Sequence, residues 1–318
     1  MNRSKNIAFG LAVTLIISIV SYLTSSLHPS FDTLVISIIF GLLVPNMFGD
    51  KTSIEEGAKW AIKVFLPIGI GLYGMQIKFT GVEIKYWPMV VGVIPISFFV
   101  TYFISRGFGL EKTLSILLAT GMSICGASAI IVIAPLIGAK KEDTSISLLS
   151  ILTVGLVGML IYKFFTGMLG LSVREFGIFT GMTLPMFGQI KVAAASMGAQ
   201  SLEFATNIKL LRIAFLTVIA FSVLIFAGTQ KKRLYVPWFM ILFFVLALAV
   251  NLSEGVASLR TVMEIVSRLS LSIALAAIGL TIDIDSIAEK GARPLFSAFF
   301  GWGIVVLLLY LLLNLINV

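Results

Sequence analysis

The chain has 318 residues, of which 58% are hydrophobic and only 12% charged, with a formal net charge of +8 and a mean hydropathy of +1.07. Soluble domains carry about a quarter charged residues, and they cannot hide apolar runs of roughly 20 residues along their whole length, so the composition excludes a soluble globular fold and points to an all-α polytopic membrane protein. With one histidine, His28, and one cysteine, Cys125, no internal disulfide can form and no ligand cluster has metal spacing; no Walker-type loop or nucleophile elbow is present either. Neither a cofactor nor enzymatic chemistry is expected.

In chain order, cutting at charges, Pro and Gly gives eleven apolar spans: 7–27, 32–48, 57–77, 84–105, 113–138, 145–169, 175–198, 204–228, 234–252, 257–282 and 294–316. The first follows MNRSK and lacks a small-x-small cleavage pattern, so it is expected to be retained. The second is short for a bilayer of about 30 Å. The seventh, FGIFTGMTLPMFGQIKVAAASMG, is too polar and Gly-rich to face lipid.

Basic residues in short loops orient such a chain. With a cytoplasmic N-terminus and the opposite side for the C-terminus, Arg3, Lys5, Lys51, Arg106, Lys112, Arg174, Lys231, Lys232, Arg233, Lys290 and Arg293 fall inside, and mainly Lys78, Lys85, Lys140 and Lys141 outside. The surplus positive charge suits an anionic leaflet of the lipid bilayer and calls for no nucleic acid.

The stretch IFGLLVPNMFG at 39–49 resembles IFTGMTLPMFG at 178–188. Because five spans separate them, the pair predicts a 5+5 inverted repeat, 31–170 and 171–318, preceded by an additional helix at 1–30. A rival echo joins GMQIK at 74–78 to GLTID at 279–283, seven spans apart.

Span five contains GMSICGASAIIVIAP, residues 121–135. Small residues there serve close helix packing on one reading. On the other, the helix breaks, and freed backbone N–H groups near Gly126 and Ala127, with the hydroxyls of Ser123 and Ser128, receive an anion; Cys125 is a small buried side chain. The repeat pairs span five with span ten, where AAIGLTIDID at 276–285 supplies Thr281, and so predicts two broken, adjacent helices.

Ionisable residues within spans mark pathways or pairings. Lys63, Lys191, Lys209, Arg212 and Arg268 are nearly all basic, with Glu264 placed to pair with Arg268 at i, i+4. Lys63 and Lys209 can snorkel toward headgroups; Arg212 is deeper and is read as functional. No Asp stands in the middle of a span, and Asp283 and Asp285 lie near the end of span ten.

The segments SICGASAI, GMTLPMFGQIKVAAA, NIKLLRIAFL and AAIGLTIDIDSIAEKGARP resemble the bacterial YeiH-type membrane proteins, a family associated with sulfate export, from about residue 35 onward. The resemblance implies an inner-membrane carrier related to inverted-repeat transporters with crossing broken helices, such as bile-acid symporters and sodium/proton antiporters. The family's Cys-Gly-Ala-Ser-Ala falls on Cys125, Gly126, Ala127, Ser128 and Ala129, its Lys and Arg on Lys209 and Arg212, and its glutamine on Gln189. Its His-Glu pair is absent, replaced by Pro185 and Met186, and Lys191 stands where an apolar residue is usual.

The expected function is therefore secondary transport of a small anion (sulfate, a sulfonate or a carboxylate) by alternating access. Coupling to protons or to sodium, and a homodimer, both stay open. The alternative is a non-transporting membrane sensor or assembly factor on the same fold.

Overall fold

A computed structural model describes residues 3–27, 33–48, 51–76, 87–227, 238–281 and 292–316. Every regular element among them is helical: α1 (Arg3–Ser25), α2 (Thr33–Phe48), α3 (Lys51–Tyr73), α4 (Trp87–Gly107), α5 (Lys112–Ser123), α6 (Ala127–Leu136), α7 (Lys141–Phe165), α8 (Val173–Thr183), α9 (Phe187–Ala195), α10 (Ala199–Ala227), α11 (Trp238–Leu252), α12 (Glu254–Ser258), α13 (Arg260–Leu280) and α14 (Arg293–Ile316), with short 3-10 turns at Gly74–Gln76 and Thr166–Met168. Six described helices are long and apolar enough to cross a membrane: α1, α4, α7, α10, α13 and α14. The chain divides into two compact units, one of residues 1–78 with 228–289 and the other of 79–227 with 290–318.

The first unit packs α13 against α2 and α3. Glycines allow the backbones to touch: a Cβ on Gly41 would collide with the α13 backbone at Ala276 and Gly279, and one on Gly10 with α3 at Ile54 and Gly57. Small residues are the usual means of close approach where lipid provides no hydrophobic drive between helices. Buried hydroxyls supply directional contacts, with Ser18 Oγ donating to Ser272 Oγ at 2.8 Å, Ser37 and Ser272 hydroxyls 2.6 Å apart, and Ser267 Oγ donating to the Gly69 carbonyl at 2.8 Å. Helix α13 runs unbroken from Arg260 to Leu280, so the break expected in span ten is absent over those residues. Its Ala-rich, apolar turns from Leu271 to Leu280 are fully packed and keep their own hydrogen-bond ladder.

In the second unit, spans five and seven are both interrupted, and each folds back on itself. Gly121 of α5 faces Ile130 of α6, whose side chain a Cβ there would strike. The chain before the turn at Ile124–Gly126 thus lies beside the chain after it, and α5 and α6 form a hairpin. The second interruption folds back likewise. Tyr162, near the end of α7, packs on Phe176 and Phe179 and donates to Thr183 Oγ1 at 2.9 Å, while Thr166, just past the end of α7, has its hydroxyl 3.1 Å from that of Ser196. The start of α8 and the end of α9 therefore lie at the same end of α7. Gly177 meets the α10 backbone at Ser201 and Gly181 meets it at Ala205, so α10 runs parallel to α8.

Two helical hairpins thus enter from opposite ends of the unit, each followed by a long helix, α7 or α10. The two copies stand 60 residues apart: Thr120-Gly121-Met122 matches Thr180-Gly181-Met182, and Gly138-Ala139 matches Gly198-Ala199, with both Gly138 and Gly198 at positive φ at the hairpin exit. This repeat differs from the expected pairing of 39–49 with 178–188. Residues 39–48 belong to continuous α2, whereas 178–188 contain the tip of a hairpin. One consequence is that Lys140 and Lys141 share an end of the unit with Arg106 and Lys112, and Arg174 lies at the other, which reverses their expected sides. Ser105 and Ser297 hydroxyls, 3.2 Å apart, bring the start of α14 and Arg293 to the first of these ends.

Candidate functional site at the hairpin tips

The first tip is made by three residues. Ile124 leaves the helical region (φ −114°, ψ −86°), Cys125 is buried, and Gly126 takes φ +68°, ψ −121° as it opens α6. An L-side chain is strained at such a φ, and a Cβ there would also press on Met186 and the Pro185 carbonyl. The second tip follows from proline chemistry. Leu184, preceding Pro185, is forced into the extended region (φ −81°, ψ 136°), Pro185 has no N–H to continue α8, and α9 restarts after Met186. Pro185 thus puts a helix stop where Gly126 of the other hairpin makes contact.

Each tip joins a helix C-terminus to a helix N-terminus, and the two kinds of end meet different partners. The orphan carbonyls of α5 and α8 are taken by two fully buried cations of α10. Lys209 Nζ donates to the carbonyls of Ile124 (2.9 Å), Pro185 (2.5 Å) and Leu184 (3.4 Å). Arg212 donates from Nη2 to Met122 (2.8 Å), from Nε to Ser123 (3.3 Å), and from Nη1 to Gly181 (2.7 Å) and Leu184 (3.1 Å). Cations at helix C-termini complement the macrodipole, and hydrogen bonds from a charged donor contribute about 1.5–3 kcal/mol each. Lys209 does not snorkel, and four of the five N–H groups of Arg212 are committed to backbone carbonyls; both support the tips from behind. Among the described residues, no carboxylate forms an ion pair with either.

Gln189 has a similar task. Its Oε1 accepts the Met186 N–H at 3.1 Å, and its Nε2 donates to the Leu152 carbonyl of α7 at 3.3 Å. The amide lies over Gly155, where any Cβ would overlap it. Ser123 Oγ is turned back to the Thr120 carbonyl at 3.3 Å, whereas the buried Thr120 hydroxyl, absent from the sequence expectation, has no hydrogen-bond partner among the described residues.

The N-terminal side of each tip is the accessible one. Of the residues from Gly121 to Ala134, Ser128 alone is more than marginally exposed; on the second hairpin Phe187 and Gly188 are half-buried and Lys191 is exposed. Lys191 Nζ sits 4.9 Å from the centroid of the Phe187 ring. The N–H groups of Ala127, Ser128 and Ala129 and those of Phe187 and Gly188 occupy first-turn positions that have no carbonyl within their own helix.

Nine of the ten expected site residues thus surround the two tips: Ser123, Cys125, Gly126, Ala127, Ser128, Gln189, Lys191, Lys209 and Arg212. Thr281 belongs to the first unit, where its hydroxyl donates to the Ile278 carbonyl at 2.9 Å. The expected pairing of spans five and ten is replaced by one of spans five and seven. The Glu264–Arg268 pair is present at 3.3 Å and exposed, Lys63 is exposed, and Asp283 and Asp285 lie outside the described residues. The signal that could have revealed the partner hairpin was the recurrence of Thr-Gly-Met and Gly-Ala at a 60-residue interval.

The family model described as conserved hypothetical protein 698 matches residues 9–298. A UPF0324 membrane protein of Archaeoglobus fulgidus is 30% identical over 311 residues, covering 96% of this chain and 92% of that protein. One from Agrobacterium fabrum is 32% identical over 286 residues, 85% and 80% of the two chains, and one from Bacillus cereus is 29% identical over 317 residues, 95% and 90%. No solved structure matches the chain.

Proposed function

The chain belongs to the conserved hypothetical protein 698 family of UPF0324, YeiH-type membrane proteins, and from that premise we propose that it is a secondary carrier of a small anion, working by alternating access in the inner (cell) membrane. The observation that carries this reading is the segregation of helix ends at the tips. The carbonyl ends of α5 and α8 are sealed by Lys209 and Arg212, while the N–H ends of α6 and α9 stay on the accessible side with Ser128 and Lys191. Each helix N-terminus carries roughly half a positive charge, and discontinuous helices ending in the bilayer present such charge to anionic solutes.

Charge balance favours the same sign. Lys209 and Arg212 place two basic side chains in a buried site with no ion-paired carboxylate among the described residues. An anion at the N–H face therefore meets helix N-termini and basic side chains and no paired carboxylate. Sulfate, a sulfonate or a carboxylate fits these donors; the hydroxyl of Ser128 and the ammonium of Lys191 would contact it directly, and coupling to protons or sodium is read as a separate step.

The ends of the hairpin unit set its orientation. Arg106, Lys112, Lys140, Lys141 and Arg293 gather at the end where α5 begins, against Lys163 and Arg174 at the other. By the positive-inside rule the first end is cytoplasmic.

The test is a thermal-shift screen of the purified protein against sulfate, sulfonates and small carboxylates, followed by flux in reconstituted vesicles. A bound anion stabilises in proportion to the logarithm of its concentration above Kd. Stabilisation by cations or neutral solutes alone would overturn the reading, and anion binding without any flux would favour the sensor.

A further inference from the structure

We propose that α10 is a clamp: Lys209 and Arg212 are positioning residues that join the two hairpin tips into one element, so that the first turns of α6 and α9 move together and neither hairpin opens alone. Each cation bridges both hairpins by itself. Lys209 holds Ile124 of the first tip and Leu184 and Pro185 of the second; Arg212 holds Met122 and Ser123 of the first and Gly181 and Leu184 of the second. A residue that merely capped one helix end would be satisfied on one hairpin. The two stand at i and i+3, on one face of α10, and the Leu184 carbonyl accepts from both.

The 60-residue repeat shows that the clamp is not a general requirement of the hairpin-and-helix motif. The positions of α7 equivalent to Lys209 and Arg212 are Leu149 and Leu152. Only the second copy carries the cations, so one long helix serves both hairpins. The second hairpin has a further anchor on α7, through Gln189 and the Leu152 carbonyl, whereas Gly126 of the first rests against Met186 and Pro185. With the tips held in this way, the spacing between the two sets of free N–H groups is set before any solute arrives. The inference concerns the tips alone and holds whichever solute they receive.

Hydrogen exchange of the full chain in lipid nanodiscs tests it, read by mass spectrometry on peptides spanning 120–128 and 182–190, with α13 peptides as an internal reference. Lys209→Met is expected to speed exchange in both tip peptides together, by about ten-fold or more, with the α13 peptides unchanged. Lys209→Arg, which keeps the charge and its reach, is expected to restore most of the protection. Arg212→Lys, a milder change for use where Lys209→Met fails to fold, is expected to loosen both tips to a smaller, matching degree. Acceleration confined to one hairpin, unchanged exchange at both tips, or equal acceleration in α13 would each overturn the clamp.

Discussion

Lys209 and Pro185 are joined by a 2.5 Å hydrogen bond from the ammonium to the carbonyl oxygen. Proline ends α8 and leaves its carbonyls without helical partners; the lysine of α10 fills the vacancy and reaches the other hairpin at Ile124 with the same nitrogen. A residue that reads in the sequence as a snorkelling or solute-binding charge is thus committed to the protein's own backbone.

Removing a clamp residue is expected to cost stability before it costs binding. Arg212→Ala strips donors from four buried carbonyls, and breaking such a buried polar set costs about 3–5 kcal/mol. Thermal unfolding in detergent should show the drop with and without anion alike. A loss seen only in the anion-bound protein would return Arg212 to the solute-contacting set.

The accessible residues should behave in the opposite way. Ser128→Ala and Lys191→Gln alter side chains on the open face of the tips and are expected to change unfolding by no more than about 0.5 kcal/mol. The same substitutions should weaken the anion-dependent rise in Tm. An undiminished rise in both variants would remove them from the site.

Gly126→Ala is expected to destabilise by about 1–2 kcal/mol from the left-handed backbone alone, with more from the contact with Met186 and Pro185. Gly92, a helical glycine with nothing near its Cβ position, provides the control: Gly92→Ala should be neutral or slightly stabilising. Equal effects at the two sites would argue against the tip geometry.

Topology gives the last prediction. In a Cys125→Ser background, Lys140→Cys should react with a membrane-impermeant maleimide from the same side as Lys112→Cys, and Arg174→Cys from the opposite side. Labelling of Lys140→Cys and Arg174→Cys in the reverse pattern would mean that spans five and seven cross after all.

Much of the architecture was legible in the residues. The small residues and glycines from Ser123 to Ser128 mark a weakened helix interior, whereas span seven reads only as too polar and Gly-rich to face lipid, so its stop at Leu184-Pro185 came from the structure. The direction in which the chain leaves each stop was not legible. A broken helix that continues and one that turns back have the same length, hydropathy and small-residue content; only the contacts of Gly121 with Ile130 and of Thr166 with Ser196 separate them. The resemblance of 39–49 to 178–188 likewise says nothing of direction: the first segment lies in continuous α2 over its described residues and the second contains a hairpin tip.

By itself the sequence determined the solvent, the helical class, the family and the weakened stretch in span five, because each depends on local composition and on the covalent limits of glycine. The tertiary structure alone decided what the buried charges do. A cation in a low-dielectric interior needs partners, and whether these are a solute or the protein's own carbonyls depends on which helix ends the fold brings within about 3 Å of it. For Lys209 and Arg212 those ends belong to two hairpins whose tips are 60 residues apart in the chain, a proximity that no local pattern encodes.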